Sequence, residues 1–148
     1  MAVAKSEVIC RPESAASLEL DNEPEDINAD GLQIYVSLGG AVRGTMVLPQ
    51  EGGGLYVRNL GPADQPSMGV QGCWSPTDLG FVVTLRLEDD GFAALHRGTT
   101  IGFDLLINEM QAGRIRRAGQ LAWSGGGGWI YLRGDRHDTS QLGVVSLA

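Results

Sequence analysis

Six residues of this chain carry side chains suited to holding a polyhydroxylated ring: Trp129, Gln33, Tyr35, Arg58, Asn108 and Arg117. An indole offers a flat apolar face to the C–H side of a pyranose. Amide, phenol and guanidinium groups supply donors and acceptors for the hydroxyls around it. Gln33 and Tyr35 alternate with Leu32, Ile34, Val36 and Leu38, so both stand on the face opposite an apolar stripe. They are expected to look outward onto a binding surface. Asn108-Glu109 is expected to cap a strand end and hold the loop that follows. Trp123, inside a strand, is expected to pack in the core, whereas Trp74 in the turn-like stretch CWSPTD fits either packing or exposure.

Other chemistries find little footing. His137, Asp138 and Ser140 lie close in sequence, but a catalytic triad is defined by spatial geometry, and a polar loop accounts for them. No pair of acids sits on strand ends in a way that suggests glycoside hydrolysis. The two histidines and two cysteines lack zinc-ligand spacing. A non-catalytic chain is therefore expected. Asp21, Glu23, Asp26 and Asp30 cluster oxygen donors of the kind a structural calcium takes, at a spacing that is not an EF-hand's.

Charge narrows the partners. The net charge of −7 argues against nucleic acid, which needs a basic footprint, and against an anionic membrane surface. Glu19 to Asp30 holds six acids and no base, while Arg114, Arg116 and Arg117 cluster later; solvated surface accounts for both runs. No stretch is apolar enough to span a bilayer, and MAVAKSEVIC lacks the apolar core of a signal peptide. Cys10 and Cys73 leave open one disulfide or two buried free thiols.

The elements that must position these residues are short strands. At 148 residues, 43% apolar, the chain is expected to be one domain with a real core. Its 22 glycines suit tight turns and penalise long helices. Alternation predicts strands at Glu7–Arg11 and Ser17–Asp21, which are expected to pair, and at Gly31–Leu38. Arg43–Leu48 and Gly54–Arg58 flank the turn residues Pro49 to Gly53, a hairpin signal. Met68–Trp74 is a weaker strand, and Gly80–Glu88 the cleanest. Phe92–Arg97 is expected to form a helical turn, and Ile101–Ile107 a half-buried strand. Many short alternating strands with regular turns predict an all-β, antiparallel, two-sheet sandwich of the jelly-roll or immunoglobulin-like kind.

The stretch Thr99–Ser124, TTIGFDLLINEMQAGRIRRAGQLAWS, orders a strand, Asn-acid, a Gly/Arg loop and a strand ending Trp-Ser. A glycine-rich loop with Trp129 and the closing Leu142–Leu147 follow. This order resembles the C-terminal motif of the family 9 carbohydrate-binding modules, sandwiches related to the DOMON-type domains. Glu23–Val36, EPEDINADGLQIYV, looks like the family's acidic loop and Asp-x-Val-Glu-Ile-Phe strand, with Asp30 at the Asp position and Gln33 at the Glu position. The resemblance implies carbohydrate binding, with Trp129 as one of two indoles that clamp the sugar and Arg117 as a hydroxyl ligand. Arg58 falls one position off its family counterpart and is expected to face the other way.

Three departures accompany the resemblance. Family members carry further strands upstream; the acidic loop Glu23–Asn28 has no aromatic residue for the second indole; and Gln33 replaces a glutamate. They bring in a second expectation, a structural or protein-interaction sandwich that has lost the sugar site. A third, haem binding as in some relatives, would draw on Met46, Met68, Met110, His96 or His137 as axial ligands. The resemblance also implies other domains of a larger, exported parent protein.

Overall fold

A computed structural model describes residues 8–10, 29–61, 66–78, 80–110, 119–124 and 139–147. Nine strands lie among them: β1 (Val8–Cys10), β2 (Gly31–Leu38), β3 (Ala41–Pro49), β4 (Leu55–Asn59), β5 (Gly69–Thr77), β6 (Gly80–Glu88), β7 (Thr100–Glu109), β8 (Gly119–Ala122) and β9 (Gly143–Ser146). All pairings are antiparallel. A small sheet runs β1-β6-β5, and a large one β4-β3-β2-β7-β8 with β9 also on β7. β8 pairs with residues 106–109 of β7 and β9 with residues 100–103, so the two share one edge of β7 end to end. Among the described residues the large sheet is thus five strands wide and the small one three. This is the expected antiparallel sandwich.

Local chemistry sets the strand ends. β2 and β3 turn through Gly39 and Gly40, with φ of +58° and +82°. That pair of left-handed residues is what a two-residue turn matching strand twist requires. β3 and β4 form the predicted hairpin, Met46 opposite Arg58. Backbone bonds from Leu147 N to Thr99 O at 2.9 Å and from Gly98 N to Leu147 O at 2.8 Å lace the end of the chain to the start of β7.

Alternation on β2 builds the core. Leu32, Ile34, Val36 and Leu38 face the small sheet and pack with Val47, Met68, Phe81 and Val83. Between the sheets' ends, Trp74 stacks edge-on against Phe81 and donates its Nε1–H to the Gln50 carbonyl at 2.7 Å. Within the CWSPTD stretch, Cys73–Thr77 is strand and only Asp78 turns. Its Pro76 sits on an edge strand, where a missing N–H is tolerated.

Several expectations need correction. β1 takes β6 as its partner, Ile9 opposite Val82, while Ser17–Asp21 lies outside the described residues. The helical turn is a 3-10 turn at Asp90–Ala94, earlier than expected. Asp89 fixes it there by accepting the Gly91 amide at 2.8 Å and pairing with Arg43 at 3.3 Å. Trp123 is 54% exposed instead of core: β8 ends one residue before it, and among the described residues no strand of the small sheet covers that side. Cys73 is an exposed free thiol rather than a buried one. It stands opposite Thr84 and Cys10 opposite Phe81, on either side of β6. Two strand spacings of roughly 4.8 Å each put them beyond disulfide reach.

Candidate functional site

The outer face of the large sheet, turned away from the small sheet, collects the polar residues. Register aligns Arg58 of β4, Met46 of β3, Gln33 of β2, Leu106 of β7 and Ala122 of β8 in one row. A second row holds Gly31, Asn108 and Gln120, and a third Gly44, Tyr35 and Asp104. Four of the six sequence-derived residues, Gln33, Tyr35, Arg58 and Asn108, therefore share one face. Arg58 was expected on the opposite side. The β3–β4 register corrects this, since pairing with Met46 puts it on the Gln33 face. Trp129 and Arg117 lie outside the described residues.

A hydrogen-bonded chain links the face across three strands. Tyr35 donates its hydroxyl to Gln33 Oε1 at 2.8 Å, and Gln33 Nε2 reaches Asn108 Oδ1 at 3.4 Å. Gln120 Nε2 donates to the same Asn108 oxygen at 2.7 Å. Asn108 is thus a junction within the sheet close to a strand end, and Asp30 accepts the Met110 amide at 2.7 Å just after β7; the loop that Asn108-Glu109 is expected to hold lies outside the described residues.

This face is not open at its centre. Gln33 and Tyr35 are fully buried, with Met46 and Leu106, and Asn108 is 2% exposed. Tyr35, Val42, Met46, Leu60, Leu106 and Leu142 form a second apolar cluster there. The expectation that Gln33 and Tyr35 look outward is corrected: they share the predicted face, and that face is itself a core. Burial explains the bonding, because an unpaired amide in an apolar setting costs about 1–3 kcal/mol. Arg58 and Gln120, both half-buried, reach from this core toward solvent. The Oε1 of Gln120 accepts no hydrogen bond among the described residues.

Three residues escaped sequence reasoning. Gln120 is one, and Asp104 and Ser124 are the others. Asp104, fully buried, accepts the Ser124 hydroxyl at 2.8 Å, the Ser124 amide at 3.1 Å and the Leu105 amide at 2.9 Å. The available signal was a polar–apolar–polar run, Asp104, Leu106, Asn108, on the face of β7 opposite its apolar stripe.

Among the described residues, no group of three His, Cys, Asp or Glu is placed to hold a metal. Asp21, Glu23 and Asp26 of the proposed calcium cluster lie outside them, as does His137. Three of the described haem-ligand candidates lie apart. Met46 is on the outer face, Met68 is in the inner core, and exposed His96 is bonded to Thr99.

The fold has solved counterparts. A family 9 carbohydrate-binding module from Caldicellulosiruptor kristjanssonii in complex with glucose matches with a TM-score of 0.63 at 14% identity, over 86% of this chain and 63% of that one. The same organism's family 9 module in complex with cellotriose matches with a TM-score of 0.61 at 14% identity, over 86% of this chain and 62% of that one. The chain thus spans less than two thirds of the length of either structure. No family model matches the sequence, and no curated protein matches it. The described strands build a β-sandwich with the fold of the family 9 carbohydrate-binding modules.

Proposed function

We propose that this chain is a non-catalytic carbohydrate-binding module that holds a small glycan over the outer face of the large sheet. The observation that carries the reading is the convergence of Gln33, Tyr35, Arg58 and Asn108 on one face of this fold. Solved examples of the fold carry glucose and cellotriose, which supports a neutral sugar as ligand. In this reading Trp129 stacks on the sugar ring, Arg58, Arg117 and Gln120 bond its hydroxyls, and buried Asn108 holds the Gln120 amide in place. Gln33 and Tyr35 act from behind, fixing the Asn108 amide. Amide and guanidinium groups around an aromatic platform bind sugar without supplying an acid or a nucleophile. Other domains of a larger protein would provide any chemistry.

The test is intrinsic tryptophan fluorescence titrated with glucose, cellotriose, and mono- and disaccharides of xylose and galactose. A saturable change that disappears in Trp129→Ala, with the thermal transition kept, is the expected result. A flat response from folded protein across the panel would sink the proposal.

A second reading has one observation in its favour. Gln33 and Tyr35 are fully buried and bonded to each other, as in a sandwich that has turned a sugar site into core. It expects that flat response and a protein partner instead.

A further inference from the structure

Strand β4 alternates its faces, Leu55 and Val57 pointing one way and Tyr56 and Arg58 the other. Leu55 packs on the core between the sheets, and Arg58 pairs with Met46 of the outer cluster. Tyr56 therefore stands on the outer face beside Arg58, roughly 7 Å away along the strand. It is 47% exposed. The other exposed aromatic among the described residues is Trp123, which its edge-on stacking at 5.5 Å against Phe103 puts on the inner face. Directly across from Tyr56 is Leu48 of β3. Leu48 directs its Cδ2 methyl away from β4 and toward β2, where a methyl on Gly31 would stand 2.5 Å from it. The bare backbone of Gly31 seats the leucine, and Tyr56 keeps nearly half of its surface in water.

Resting on the carbohydrate reading above, we infer that Tyr56 is a second sugar subsite, which stacks on the unit next to the one that Arg58 bonds. The ligand class is then a neutral chain of two or more sugars, preferred over a monosaccharide. A phenol ring offers a flat apolar face to the C–H side of a pyranose and a hydroxyl to its rim. The step of roughly 7 Å from Arg58 to Tyr56 is comparable to the step between neighbouring sugars in a chain, so a single ring is not centred on both. The apolar surface exposed here has the size of one sugar. Val57, 37% exposed, points to the opposite face, and Leu48 is half-buried. A protein partner would need on the order of 800 Å² from this side, which one tyrosine does not supply.

The experiment is calorimetric titration of the chain and of Tyr56→Thr and Tyr56→Phe with glucose and with cellotriose. Cellotriose is expected to bind the unsubstituted chain about tenfold more tightly than glucose. That ratio should fall to about one in Tyr56→Thr, which keeps strand propensity but has no ring, and should persist in Tyr56→Phe, which keeps the stacking face. Both variants change an exposed position, so their thermal transitions should stay within about 3 °C of the parent's. The Tyr56 ring signals in NMR, assigned by their loss in Tyr56→Thr, should shift with cellotriose and not with glucose. An unchanged ratio in Tyr56→Thr, or an equal loss for both sugars, would overturn the subsite while leaving the carbohydrate reading in place. Folded, unsubstituted chain that binds neither sugar would overturn both.

Discussion

Ser124 gives both its amide and its hydroxyl to the buried carboxylate of Asp104, at 3.1 and 2.8 Å. The pair ties the turn after β8 to the middle of β7, and Trp123 N adds a backbone bond to Leu105 O at 2.8 Å. This joint fixes the backbone just beyond the end of β8.

Removing the carboxylate should be the costliest single change on that face. Asp104→Ala leaves two amides and a hydroxyl without their acceptor, a loss of about 3 kcal/mol, or a fall in Tm of roughly 6–12 °C. Ser124→Ala keeps its amide bond and should lose only about 1 kcal/mol. Thermal denaturation of both variants checks the order. Equal losses would show that the hydroxyl, not the carboxylate's full set of bonds, carries the joint.

Tyr35→Phe tests the amide chain. The ring stays in place, but Gln33 Oε1 loses its 2.8 Å donor inside a fully buried site. A destabilisation of about 1–2 kcal/mol is expected from chemical denaturation. With the sugar site on this face, affinity for glucose or cellotriose should fall as well, since Gln33 then no longer holds Asn108. Unchanged affinity would assign the chain of amides to packing alone.

Gly44 marks where Tyr35 needs room. A methyl at Gly44 would stand 2.8 Å from Tyr35 Cε1 and 3.2 Å from Leu60 Cβ. Gly44→Ala should therefore cost about 1–3 kcal/mol through overpacking. At Gly40 nothing lies near, and only its φ of +82° opposes a side chain. Gly40→Ala should cost about 1 kcal/mol. Urea midpoints of the two variants separate the causes, and a milder effect at Gly44 would mean that the Tyr35 ring moves aside freely.

What the chain determined by itself is local. Alternation over Gly31–Leu38 and Gly80–Glu88 dictates strands, Gly39-Gly40 and Pro49–Gly53 dictate turns, and period 2 puts Gln33 and Tyr35 on one face. The element order from Thr99 to Ser124 carries the family likeness that the fold bears out. What only the tertiary structure decided is what covers each face. Gln33 and Tyr35 read as outward because they are polar, yet both are fully buried, Tyr35 in a cluster with Val42 and Met46 of β3, Leu106 of β7 and Leu142. Arg58 changed sides because its face depends on register with β3, which no spacing within β4 encodes. Trp123 reads as core from its place in the sequence, but among the described residues the small sheet stops short of it. A strand's own residues define its two faces; the neighbours that bury them are brought in by contacts remote in sequence.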